Sequence, residues 1–121
     1  MQDKPPRKTG IAHFLAAAGY SAGGLTRLAR ESAFRQEVAL IAGLLVVFVL
    51  AGASLPETLG MLAIGLALIA VEALNTAIEV LVDHLSPGWS QFAKDAKDLG
   101  SLAVACTIGV LLIYSAVVLV W

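Results

Sequence analysis

Cysteine occurs once, at Cys106, so an internal disulfide framework is excluded and the redox compartment stays open. The residue lies in an apolar run, where a lone thiol ordinarily serves as a small buried hydrophobe. Charge is scarce too: 14% of the 121 residues, against roughly 25% in soluble domains. Hydrophobic residues make up 59%, and a single soluble domain this short could not hide so much apolar surface in its own core. Much of the chain must therefore be solvated by lipid. There is no Walker A loop and no Gly-rich protein-kinase motif, so any nucleotide site is of another kind. The net charge of -1 says nothing about partners, and no nucleic acid is expected among them.

What is present is three long apolar runs. Val38 to Leu55 carries no charge and would span about 27 Å as a helix. Pro56 follows, ending that span at a tight connection. A second run covers residues 58–83 and is interrupted by Glu72, Asn75 and Glu79. The third, Leu99 to Trp121, has no charge at all. The expected fold is an all-α membrane domain over residues 1–121. Residues 1–9 form a tail, 10–30 a surface helix, and 31–55 a helix entering and forming the first span. The second span is 58–83, a cytoplasmic loop with a short helix is 86–98, and the third span is 99–121. In the loop, Ser86-Pro87-Gly88 reads as a turn with Ser86 able to cap a helix and Pro87 at its first position.

Lysine and arginine are missing from the connection between the first two spans, which has only Glu57. The eight basic residues are Lys4, Arg7, Lys8, Arg27, Arg30 and Arg35 before the first span, and Lys94 and Lys97 before the third. The positive-inside rule then places the N-terminus and the second loop in the cytoplasm and the C-terminus outside. Trp89 and Trp121 fall where aromatic anchors sit. Ile11, Phe14, Leu15 and Ala18 recur at helical spacing, with Leu25 and Leu28 extending the face, as in an amphipathic helix on the membrane surface. Gly19, Gly23 and Gly24 interrupt it, by a bend or by close approach of a backbone or ligand. The basic start and short apolar stretch loosely resemble a signal peptide, but His13 and the Gly-rich end argue against cleavage.

Ionisable residues inside a membrane are costly and point to function. At about 100° per residue, Asn75 lies roughly 60° from Glu72, while Glu79 and Asp83 each lie roughly 20° from it. Glu79 stands about 10 Å and Asp83 about 16 Å from Glu72 toward the cytoplasm. One helix face thus carries a polar stripe from the hydrocarbon to the surface. Asp83 could be an interfacial charge, Glu79 could snorkel, and Asn75 could bridge helices. None of these accounts for Glu72, which is too deep to reach water without a cavity. A carboxylate there could deprotonate an alcohol, and two nearby carboxylates could hold a hard cation such as Mg²⁺. Glu31, just before the first span, can meet Glu79 at one level, although an i,i+4 salt bridge to Arg35 is its plainer role. Lys97 and Asp98 start the third span at that level, Lys97 as a candidate phosphate contact.

The segments Ala18-Gly-Tyr-Ser21, Glu31-Ser-Ala-Phe-Arg-Gln-Glu37, Glu72-Ala-Leu-Asn-Thr-Ala-Ile-Glu79 with Asp83, and Ala96-Lys-Asp-Leu-Gly-Ser101 resemble the prokaryotic diacylglycerol kinase family. The resemblance runs from about Gly10 to the C-terminus. It implies a kinase of the bacterial inner membrane that uses ATP and Mg²⁺ to phosphorylate diacylglycerol, and that works as a homotrimer with sites shared between protomers. It implies Glu72 as catalytic base, Glu31 and Glu79 on the metal and ATP, and Tyr20, Lys97 and Asp98 on the nucleotide. Phe34, Arg35, Glu37 and Ser101 would lie along the lipid groove, with Asn75 and Asp83 in supporting places. His13 stands where the family has a basic arginine, one residue is missing between Tyr20 and Glu31, and Pro87-Gly88-Trp89 replaces more polar residues. Undecaprenol kinase shares the motif block and is the nearest alternative. A proton-carrying membrane oligomer would need one buried carboxylate but not the cytoplasmic cluster. A packing subunit would not need Glu72.

Overall fold

The computed structural model describes residues 2–121, which form four helices and, among the described residues, no strand. Helix α1 is Gly10–Leu28, α2 Ser32–Leu50, α3 Leu55–Leu85 and α4 Gln91–Val120. The last three are long and apolar enough to cross a bilayer. This is the all-helical membrane fold expected of the sequence. Helix α3 is central and packs against each of the others. Phe48, Met61, Leu68 and Leu111 are fully buried and join α2, α3 and α4. Outward-facing Leu66, Leu74, Ile113 and Val117 are exposed, a surface suited to lipid or to other protein rather than water.

The connections are specified locally. Helix α2 ends in a Schellman motif: Gly52 has φ +74, its N–H donates to the Val49 carbonyl, and the Ala53 N–H donates to the Phe48 carbonyl. Ser54 then opens α3 with a capping box. Its hydroxyl accepts from the Glu57 N–H at 3.3 Å, and the Glu57 carboxylate accepts from the Ser54 N–H at 3.1 Å. Pro56 therefore sits inside the first turn of α3, where its missing N–H costs nothing. The Tyr114 hydroxyl of α4 donates to the Glu57 carbonyl at 2.8 Å. Its ring lies over Gly60, where any Cβ would overlap the tyrosine.

Three local expectations are corrected. Gly19, Gly23 and Gly24 do not interrupt α1: the helix runs through them, and no atom of the chain lies within 4 Å of where their Cβ atoms would be. Ser86 does not cap a new helix. It closes α3, its hydroxyl bonding Ser90 Oγ at 2.7 Å and donating to the Gly88 carbonyl at 3.0 Å, and Ser90 precedes α4. The short helix and the third span are one continuous helix. No proline interrupts residues 91–99, and Gln91–Asp95 and Lys94–Asp98 pairs at i,i+4 support its first turns.

Candidate functional site: a buried carboxyl pair below a charged cleft

Glu72 of α3 and Glu37 of α2 are 3% and 5% exposed, the most deeply buried ionisable side chains among the described residues. The two carboxyls are close enough to influence each other, and Glu37 Oε2 is buried with no hydrogen-bond partner among the described residues. Thr76, one turn along α3, donates its hydroxyl to Glu72 Oε1 at 3.4 Å. None of the three ion pairs among the described residues involves Glu37 or Glu72. Glu31 and Glu79 are near enough to interact with the Glu72 charge. The structure therefore brings Glu31, Glu37, Glu72 and Glu79 into one electrostatic neighbourhood.

The corner between α1 and α2 fixes where Glu31 sits. Its backbone is extended (φ -79, ψ 129), and it precedes α2 without capping it. Its carboxylate pairs with Arg27 at 2.7 Å, which corrects the expected partner. Arg35 instead donates to the Ala29 and Arg30 carbonyls at 3.1 and 3.2 Å, satisfying groups that the end of α1 leaves free. Glu79 is half-buried and has no ion-pair partner among the described residues.

Toward the C-terminal end of α3, Asp83 pairs with Lys97 at 2.5 Å and Asp98 with Lys94 at 2.6 Å. Both lysines precede the uncharged stretch Leu99–Trp121, and each amine is held above its ordinary pKa by the hydrogen bond to its aspartate partner. They remain cationic at neutral pH. These four residues, with Trp89 and the 86–88 turn, line a cleft of about 380 Å³. A mostly apolar groove of about 270 Å³ between α2 and α4 reaches Glu37, with Gln36, Leu40, Val104 and Ile108 on its walls.

The other expected site residues make no hydrogen bond or ion pair with the carboxyls of Glu31, Glu37, Glu72 and Glu79 among the described residues. His13 and Tyr20 are exposed on α1, Phe34 is half-buried on α2, and Ser101 is exposed on α4. Phe34, Arg35 and Ser101 do not line the groove that reaches Glu37. Asn75 is buried on α3, against Gly100 of α4. Two residues of the site were not singled out from the sequence, Thr76 and Gly100. Thr76 had a usable signal, its i+4 spacing from Glu72. Gly100 had none, because its role depends on the register of α4 against α3.

No cage for a metal exists, since three or more acidic, His or Cys side chains nowhere gather at ligand spacing among the described residues. A hard divalent cation riding on phosphates needs only one or two protein carboxylates. Glu79, which makes no ion pair among the described residues, and Glu31, once released from Arg27, suit that demand.

A model of the prokaryotic diacylglycerol kinase family matches residues 19–119. The chain belongs to the prokaryotic diacylglycerol kinase family. A diacylglycerol kinase of Sinorhizobium sp is 44% identical over 115 residues, covering 95% of this chain and 84% of that protein. One from Pseudomonas aeruginosa is 43% identical over 104 residues, 84% of this chain and 85% of that one. One from Escherichia coli (strain K12) is 35% identical over 115 residues, 93% of each. With this membership and its three apolar helices the chain is a kinase and a bacterial membrane protein, as the motif block implied.

Proposed function

We propose that the protein transfers the γ-phosphate of ATP to the free hydroxyl of diacylglycerol, giving phosphatidic acid at the cytoplasmic face of the inner membrane. The observation that carries this is the Glu37–Glu72 carboxyl pair, buried at membrane depth below a cleft lined by Lys94 and Lys97. One substrate is a lipid alcohol and the other a soluble polyanion, so the site must join hydrocarbon to cytoplasm. A polar stripe on α3 does so within one helix.

Phosphoryl transfer asks for alignment and charge neutralisation more than covalent chemistry. In this mechanism Glu72 accepts the proton of the lipid hydroxyl as it attacks, and Thr76 holds the Glu72 carboxylate in position. Glu37 stands at the end of the α2–α4 groove and hydrogen-bonds the lipid headgroup, while the apolar walls take the acyl chains. Phe34, Arg35 and Ser101 border the approach. Asn75 donates from its amide to a phosphoryl oxygen. Lys97 meets phosphate oxygens in exchange for Asp83, and Asp98 and Tyr20 contact the nucleotide, with His13 in a supporting place. Glu31 and Glu79 would hold Mg²⁺, which when bound to ATP neutralises phosphate charge. The protein works as a homotrimer, with the N-terminus in the cytoplasm and the C-terminus outside.

The deciding experiment incubates purified protein with labelled ATP, Mg²⁺ and short-chain diacylglycerol, and in parallel with undecaprenol. Label in phosphatidic acid, at a rate well above that for undecaprenol, is the expected result. Preferred labelling of undecaprenol would reassign the substrate. Absence of labelling from both lipids would remove the lipid-kinase mechanism.

A further inference from the structure

Helices α3 and α4 make a second glycine-mediated approach besides the one under Tyr114. Gly100 is buried, and a Cβ there would overlap the Asn75 side-chain oxygen and stand 3.2 Å from Asn75 Cγ. The obstructing group is an amide head close to its own backbone, with the Asn75 Cβ only 3.8 Å from the same point. A short side chain of this kind has no long arm to swing aside. Asn75 is 7% exposed, and its Oδ1 receives no hydrogen bond among the described residues. An amide oxygen so placed ordinarily costs stability.

The glycine supplies a weak compensation. Its Cα hydrogen occupies the direction of the missing Cβ and so points at Oδ1, and Cα–H···O contacts are favourable at helix–helix interfaces. Turning the amide over would set its N–H against that C–H, donor against donor. The carbonyl edge of Asn75 is thus held on the α4 backbone, and its NH₂ is directed away from α4.

We propose that Gly100 is a positioning residue for phosphoryl transfer. By having no side chain it lets Asn75 lay its oxygen on α4 and turn its NH₂ to the polar face shared with Glu72 and Glu79, where a phosphoryl oxygen takes the hydrogen bond. The ligand in this proposal rests on the lipid-kinase mechanism above; the clamp itself rests on the packing of Gly100 and Asn75. Position 100 is then a determinant of turnover although it touches no substrate.

A double-mutant cycle tests it, with Gly100→Ala, Asn75→Ala and both together compared for kcat and for unfolding temperature in detergent. Asn75→Ala removes the head that an added Cβ would strike, so the double variant has room to fold even if Gly100→Ala alone does not. Gly100→Ala is expected to lower kcat by roughly 10²-fold, the scale of a catalytic group displaced by about 1 Å, and to lower the unfolding temperature. In the double variant both quantities should match Asn75→Ala alone. Losses that multiply in the double variant overturn the proposal. So does a parental kcat in Asn75→Ala beside a defective Gly100→Ala, or a Gly100→Ala kcat within about threefold of the parent. An inactive parent protein would instead sink the lipid-kinase mechanism, and the unfolding temperatures would still decide the clamp: coupled if it exists, additive if it does not.

Discussion

Glu72 combines two properties that seldom meet in one side chain: it is buried at membrane depth, and no cation pairs with it. Its neighbours are a hydroxyl and other carboxyls, an environment that suits proton transfer better than structural ion pairing. Glu72→Gln keeps the shape but cannot accept a proton. Turnover is expected to fall by roughly 10²–10⁴-fold, the range for losing a general base, with ATP affinity little changed in a binding titration. The fold should survive, because a neutral amide removes a desolvation cost. Lost ATP binding in an intact assembly would move Glu72 to the metal site instead. Thr76 tests the same centre from its other side. Thr76→Val should lower kcat by roughly tenfold, the scale of one hydrogen bond to a charged group, and Thr76→Ser should restore it; equal rates in the Val and Ser variants would leave the hydroxyl without a role. Glu31 and Glu79 are separable from this centre. Gln at either position should weaken ATP binding and raise the Mg²⁺ concentration needed for half-maximal activity, and an unchanged Mg²⁺ titration would make both residues structural.

The helices differ in how they are held, and in how far their amino acids announce it. Absent charge identifies the first and third apolar runs, Val38–Leu55 and Leu99–Trp121, and the second stands out by its hydropathy despite Glu72 and Glu79. The polar face of α3 was equally legible, since Glu72, Glu79 and Asp83 fall within a narrow arc at 100° per residue. What could not be read was register between helices. Glu37 becomes a neighbour of Glu72 only once α2 lies against α3, and Gly100 meets Asn75 only once α4 does. The α1–α2 corner misled for a related reason: i,i+4 spacing offers Glu31 both Arg27 and Arg35, and the free carbonyls of Ala29 and Arg30 claim Arg35. At the far end of α3, the Tyr114 hydroxyl links α4 to the Glu57 carbonyl, about 22 Å along the helix from Glu72. Tyr114→Phe removes that link without altering the ring over Gly60. It should cost about 1 kcal/mol in detergent unfolding and leave turnover unchanged. A matching loss of turnover without loss of stability would show that this end of the hairpin communicates with the site.

At the scale of the whole molecule, the outward-facing apolar side chains of α2, α3 and α4 need either lipid or further copies of the chain, and the direction in which the bundle crosses the bilayer decides which substrates can reach the site. Only one orientation serves a kinase fed from the cytoplasm: the cleft lined by Lys94 and Lys97 must open inward, and the Ser54–Glu57 capping box must face outward. The lysines and arginines agree, because all eight lie before α2, at its start, or at the start of α4, and none lies in the α2–α3 connection. Cytoplasmic retention of basic residues is the strongest single determinant of such an orientation. Single cysteines at positions 30, 57 and 94 test this in intact cells with a membrane-impermeant thiol reagent. Cys106 is first replaced by serine, so that each variant carries a single thiol. Position 57 is expected to label in intact cells, and positions 30 and 94 only after the membrane is opened. If position 57 were protected while 30 or 94 labelled, the cleft would face outward, away from cellular ATP, and the lipid-kinase mechanism would fail together with the topology.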